Sequence, residues 1–223
     1  LDFDAEGNLY ALSAGKLVKV DLDAGKHRVL ADDLMKPTSI AVDGRNQIYV
    51  FDAAPERKVI RVYSAEGKYL RTIGTPGGYR AGPWDPMRFE NLSSMAVDKQ
   101  DKLWLVDSTY WPKRVACFKT DGTHLRDIMG PTAYGGGGVL DPHDKTRLIY
   151  GPLEFKLDWE KGTSRLANLL TTGDWMWVSG EVHVPLKGRD YYVTRPQGPE
   201  FTRHVGVVYL HDGERLRPVA AMG

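Results

Sequence analysis

Val59-Ile60-Arg61-Val62-Tyr63 and, after Ser64, the turn Ala65-Glu66-Gly67-Lys68 carry the pattern on which the reading of this chain rests. A run of β-branched and aromatic residues reads as a strand, and Gly in the turn supplies the positive φ of a tight hairpin. The same pair of features recurs along the sequence. Leu17-Val18-Lys19-Val20 precedes Asp23-Ala24-Gly25-Lys26, Val115-Ala116-Cys117-Phe118 precedes Thr120-Asp121-Gly122-Thr123, and Glu154-Phe155-Lys156-Leu157 precedes Glu160-Lys161-Gly162-Thr163. A last copy runs from Val205 to Tyr209 and on to His211-Asp212-Gly213-Glu214.

A second hairpin stands ahead of each of these. It reads Asp4-Ala5-Glu6-Gly7-Asn8-Leu9-Tyr10, then Asp43 to Tyr49, Asp98 to Trp104 and, two residues longer, Asp141 to Tyr150. The fifth copy is degraded to Lys187-Gly188-Arg189-Asp190 between Val182-His183-Val184 and Tyr191-Tyr192-Val193. Each unit therefore has four short antiparallel strands, and no segment shows a sustained helical period. Four-stranded units repeating at about 40 to 55 residues are the blades of an all-β propeller. The predicted blades cover residues 1–36, 37–78, 92–134, 138–174 and 175–223 of a single domain.

Pro37-Thr38-Ser39-Ile40-Ala41-Val42-Asp43 through Gln47-Ile48-Tyr49-Val50-Phe51-Asp52 resembles an NHL repeat. So does Phe89 to Asp98 through Leu103-Trp104-Leu105-Val106-Asp107. Propellers of the NHL family are usually six-bladed, whereas five units are legible here. Two arrangements stay open: a closed five-bladed ring, or a further blade and other domains beyond these residues. The start inside a strand at Leu1 points to a piece of a larger protein. The resemblance further implies an extracytoplasmic, bacterial setting.

Composition narrows the partners. The 223 residues carry 30 Lys+Arg against 29 Asp+Glu, a formal net charge of +1, with 42% hydrophobic residues and one Cys. Disorder and collagen are excluded. With basic residues scattered, no electrostatic footprint for nucleic acid is present. No segment reaches the roughly 18 consecutive apolar residues of a membrane helix, so no membrane insertion is expected. Cys117, inside an apolar run, reads as a small buried hydrophobe.

Function is sought on the face that carries the long loops, because loops on a rigid scaffold commonly hold binding groups. The crossover from Gly74 to Asn91 bears Tyr79, Arg80 and Trp84, the crossover from Gly130 to Gly138 bears Tyr134, and a second-to-third-strand loop bears Trp111. Exposed aromatic rings beside Arg and Asp suit a carbohydrate or an extended peptide. The competing reading is that these rings pack loop against blade. Asp52, Asp107 and Arg195 each follow the second strand of their unit and so converge on a channel mouth, unless each Asp caps its own loop.

Of six histidines, His183 is the candidate for chemistry, since strand alternation places it on one side with Glu181. His27, His124 and His211 lie beside outer-strand turns and His143 in a first-to-second hairpin, too few axial imidazoles for a three-His zinc site. The Asp-rich turns at Asp2 to Asn8 and at Asp141 to Asp144 lack the EF-hand spacing. Gly135 to Gly138 lacks a P-loop Lys, and no Gly-x-Ser-x-Gly occurs. No cofactor is expected, with a channel metal the minor alternative.

The sequence is thus read as a binding module for a carbohydrate, a peptide or another protein domain. The ligand-binding residues are Asp52, Tyr79, Arg80, Trp84, Asp107, Trp111, Tyr134 and Arg195. The alternatives are a lyase or hydrolase centred on His183 and a structural module of a large assembly.

Overall fold

The computed structural model describes residues 1–109, 112–130, 138–170, 182–194, 206–213 and 215–222. Among them there is no helix, hence none long and apolar enough to cross a membrane. The first sheet contains β1 (Asp2–Phe3), β2 (Leu9–Ser13), β3 (Lys16–Asp21) and β4 (Lys26–Ala31), and the second β5 (Pro37–Val42), β6 (Ile48–Asp52), β7 (Val59–Tyr63) and β8 (Tyr69–Ile73). After the short β9 (Gly82–Pro83) come β10 (Leu92–Val97), β11 (Lys102–Asp107), β12 (Arg114–Lys119) and β13 (His124–Met129) in the third sheet. The fourth holds β14 (Val139–Leu140), β15 (Arg147–Tyr150), β16 (Leu153–Asp158) and β17 (Thr163–Leu169), and the fifth β18 (Val182–Leu186), β19 (Arg189–Thr194), β20 (Gly206–His211) and β21 (Leu216–Met222).

In every sheet the strands pair antiparallel in chain order, which is the meander of a propeller blade. The fold is a β-propeller, and the architecture read from the recurring turns is the one observed. The chain forms two compact units, Leu1–Tyr79 with Asp85–Gly130, and Arg80–Trp84 with the chain from Pro131 to Gly223. Each is described by itself.

In the first unit, alternation along β6 shows why a blade needs apolar residues on both faces. Ile48 and Val50 join Tyr10, Leu17, Ile40 and Tyr63 in one buried cluster. Tyr49 and Phe51, pointing the other way, join Ile60, Phe89, Leu103 and Phe118 in another. Phe51, Phe89 and Phe118 meet edge to face, with centroids 6.5 and 5.8 Å apart. Cys117 is buried, and burial, the largest influence, pushes its thiol pKa up.

Two of the third-to-fourth-strand turns also serve packing between sheets. Gly67, at φ +91°, presses on β4: a Cβ there would lie 2.2 Å from the Leu30 carbonyl oxygen. Gly122, at φ +99°, lies on Ile73 of β8 in the same way. These two turns rest on the outer strand of the sheet before them, whereas Gly25, Gly162 and Gly213 have nothing within 4 Å of an added Cβ, so turn geometry alone accounts for glycine there.

In the second unit, Ile149, Leu170, Tyr192, Tyr209 and Leu216 form the core between the fourth and fifth sheets. β9 adds a fifth strand to β17, pairing Gly82 with Leu169 and Pro83 with Asn168, so that edge is covered.

Gly67→Ala is expected to cost about 2 kcal/mol in chemical denaturation, combining positive φ with a clash against backbone. Gly25→Ala, at φ +62° with nothing within 4 Å of the added carbon, should cost about 1 kcal/mol.

Candidate functional site

Asp52 and Asp107 end β6 and β11, are fully buried, and make the same bonds. Asp52 accepts the backbone N–H groups of Met35 at 3.0 Å and Lys36 at 2.8 Å, and Arg57 lies 2.6 Å from its Oδ2. Asp107 accepts those of Glu90 at 2.9 Å and Asn91 at 3.0 Å, and the Tyr79 hydroxyl donates to it at 2.7 Å. In both cases the carboxylate ties down the segment that leads into its own sheet. Burial works to raise the Asp52 pKa, but the bonds from Met35, Lys36 and Arg57 outweigh it and hold the group below the ordinary carboxylate value. These oxygens are occupied by the scaffold. The shortest backbone bonds thus run to the segment entering the sheet, not to the loop that follows each Asp, where the capping alternative places them.

Tyr79 is likewise committed inward, and burial, the largest influence, pushes its phenol pKa well up. The crossover around it is pinned by the fully buried Arg114, which donates to the carbonyls of Pro86 at 3.1 Å and Arg88 at 2.6 Å. The Arg114 guanidinium also lies 5.8 Å from the centroid of the Tyr79 ring and 5.5 Å from that of Phe89. Arg80 is exposed, and Trp84 is half-buried with its backbone N–H bonded to Ala167. Trp111, Tyr134 and Arg195, with Glu181, lie outside the described residues.

In the second unit His183 belongs to a dense polar cluster. His183 on β18 stands opposite Tyr192 on β19, and its ring stacks on the tyrosine at 4.9 Å. Asp190, two residues earlier on β19, is therefore its diagonal neighbour, with Oδ1 2.8 Å from His183 Nε2. From the fourth sheet come Asp141, Arg147 and Glu154: Arg147 bonds Asp141 at 2.9 Å and Glu154 at 2.7 Å and lies 3.7 Å from Asp190. His211 completes the group. Its Nδ1 accepts the Gly213 N–H at 3.1 Å, and its Nε2 lies 3.0 Å from an Arg147 terminal nitrogen and 3.3 Å from Glu154. Burial acts to raise the Glu154 pKa, and the bonds from His211, Arg147 and Asn168 overcome it, holding the group at about 2.

One donor atom from each of Asp141, His183 and Asp190 lies within 4.8 Å of the other two, a spacing that can hold a metal ion. Sequence reading singled out His183 but placed His211 apart from it, took Asp141 only as part of an Asp-rich turn without EF-hand spacing, and passed over Arg147, Glu154 and Asp190. A signal was available. In three units an aromatic follows the hairpin Asp by six residues, whereas Arg147 stands at that spacing from Asp141, and Tyr192 has Leu186 in place of the Asp.

The first unit also has a cleft of about 560 Å³ bordered by the first strands of its three sheets. Leu1, Phe3 and Leu12 border it, but its open lining is mostly polar, with hydroxyls from Thr38, Ser93 and Ser94. Asp2 is its one titratable side chain, and its two oxygens accept the N–H groups of Phe3 and Val42, each at 2.9 Å.

No protein-family model matches the chain, and no curated protein matches it. Among solved structures it is similar to a chain of the crystal structure of a nidogen/laminin complex, at 16% identity. The match covers all of this chain and 78% of that one, with a TM-score of 0.46.

Asp107→Ala strips two backbone donors and a phenol of their acceptor, so a loss of about 3 kcal/mol is expected in urea unfolding. Acid should act on the same kind of bond. Asp52 and Glu154 have folded pKa values below their unfolded ones. Their stabilisation is complete above the unfolded values near pH 4 and is lost as pH falls from about 4 toward 2. Circular dichroism between pH 7 and pH 2 checks this, with unfolding expected in that window.

Proposed function

We propose that this propeller is a binding module that holds a ligand or partner protein without transforming it. The observation that carries the reading is the cleft bordered by β1, β5 and β10. Its volume lies within the roughly 300 to 1,000 Å³ usual for ligand pockets, and its lining is mostly polar, with the Thr38, Ser93 and Ser94 hydroxyls among the groups it presents. Its one carboxylate is already bonded to backbone, so the cleft offers contacts rather than an acid–base pair.

Short hydroxyls beside apolar side chains suit a carbohydrate or an extended peptide, which gain hydrogen bonds at little cost in side-chain ordering. The exposed Arg80 and the half-buried Trp84 remain proposed contacts on the loop-bearing face, together with Trp111, Tyr134 and Arg195. The NHL resemblance supports the extracytoplasmic, bacterial setting in the same proposal.

Glycan arrays and peptide libraries screened against the whole chain test this reading. A ligand found there should lose at least tenfold in affinity with Ser94→Trp, which fills the cleft, and little with Asp121→Ala on a distant turn. Loss with Arg80→Ala and Trp84→Ala but none with Ser94→Trp would move the site to the loop-bearing face. Turnover of the ligand would contradict a binding role.

A further inference from the structure

We infer that Asp141, His183 and Asp190 form a binding site for a divalent transition-metal ion, zinc-like in its ligand preference, that joins the fourth and fifth sheets of the second unit. The three side chains come from two sheets. Asp141 lies in the turn between β14 and β15, and His183 and Asp190 lie on the paired strands β18 and β19. Their donor atoms lie within 4.8 Å of one another, and contraction of about an ångström brings them to the spacing of ligands around an ion at 2.0–2.2 Å.

A second observation is independent of that spacing. The hydroxyl of Tyr192, a residue 1% exposed, and Nδ1 of His183, whose side chain is 3% exposed, have no hydrogen-bond partner among the described residues. Buried polar atoms are seldom left in this state, because each costs about 1 to 3 kcal/mol. The Tyr192 ring stacks on His183 at 4.9 Å and meets His211 edge-on at 6.1 Å, which places it at the cluster. In the first, second and third sheets the equivalent aromatics, Tyr10, Tyr49 and Trp104, donate to Asp4, Asp43 and Asp98. The fifth sheet has replaced that hairpin by Lys187-Gly188, which removes the acceptor.

Charge points the same way. Arg147 and Glu154 offset each other at 2.7 Å, so Asp141 and Asp190 leave two negative charges when both histidines are neutral. A dication neutralises two. An imidazole with two carboxylates favours zinc, cobalt or manganese over calcium or magnesium, which take oxygen ligands. Arg147, bonded to Asp141 at 2.9 Å, then acts as a positioning residue for that carboxylate.

The test is calorimetric titration of the chelator-treated full chain with zinc chloride, and with cobalt chloride while the visible spectrum is followed. One equivalent should bind, with cobalt bands showing a nitrogen- and oxygen-ligated ion and a rise in unfolding temperature. His183→Ala and Asp190→Asn should each weaken binding at least tenfold, while His27→Ala, an exposed histidine of the first unit, should not. Should His183→Ala fail to fold, the nearly isosteric Asp190→Asn carries the test. No saturable binding, equal binding in Asp190→Asn, or binding of calcium but not zinc would overturn the proposal.

Discussion

The bond that an aromatic side chain donates to the hairpin aspartate six residues earlier is the interaction on which the first three sheets depend. Each such carboxylate does two things at once. One oxygen accepts N–H groups of its own turn: Asp4 takes that of Asn8, Asp43 those of Arg45 and Gln47, and Asp98 those of Gln100 and Lys102. The other accepts from Tyr10, Tyr49 or Trp104 on the second strand, at 3.1, 2.9 and 2.8 Å. Turn conformation and strand register are thereby fixed by one group. A cation then covers each ring, Lys19 on Tyr10 at 5.6 Å, Arg71 on Tyr49 at 5.9 Å and Arg126 on Trp104 at 5.3 Å. The phenol of Tyr10, raised first by burial and then by Asp4, is pushed up to about 12, so it remains a donor throughout the physiological range.

Where this bond is kept, the buried charged residues of the first unit are engaged by the scaffold. Asp52, Asp107 and Arg114 belong to the same economy, since each satisfies backbone groups of a segment entering or crossing a sheet. Where the bond is lost, unpaired polarity collects. Asp141 turns to Arg147, Tyr192 has no aspartate, and His183, Asp190, Glu154 and His211 gather around them. The chemically richest place among the described residues is thus where the repeat is most degraded. A repeat that relaxes its structural pairings frees side chains for other work.

Much of the fold was legible because its determinants are local. Five glycine turns and the alternation of strands such as Ile48-Tyr49-Val50-Phe51 specify a four-stranded meander without reference to distant residues. The use of Asp52 and Asp107 matches neither alternative read from sequence, a channel mouth or each residue's own loop. A strand-end carboxylate looks the same in sequence whether it meets a ligand or the amides of residues 16 and 17 positions earlier. Tyr79 posed the same difficulty, its partner lying 28 residues away on another strand. The second-unit cluster joins Asp141 to Asp190 and Arg147 to His211, 64 residues apart, and only the packing of two sheets brings these together. Its trace in sequence is negative: an aromatic at the end of a hairpin that has lost its aspartate.

A double-mutant cycle on Asp43 and Tyr49 addresses the central claim most directly. With Asp43→Ala, Tyr49→Phe and the double variant compared by urea unfolding, a coupling free energy of about 1.5 to 3 kcal/mol is predicted, as for a buried hydrogen bond to a charged acceptor. Additive losses, with coupling below about 0.5 kcal/mol, would show that the aspartate holds only its own turn and would contradict the account.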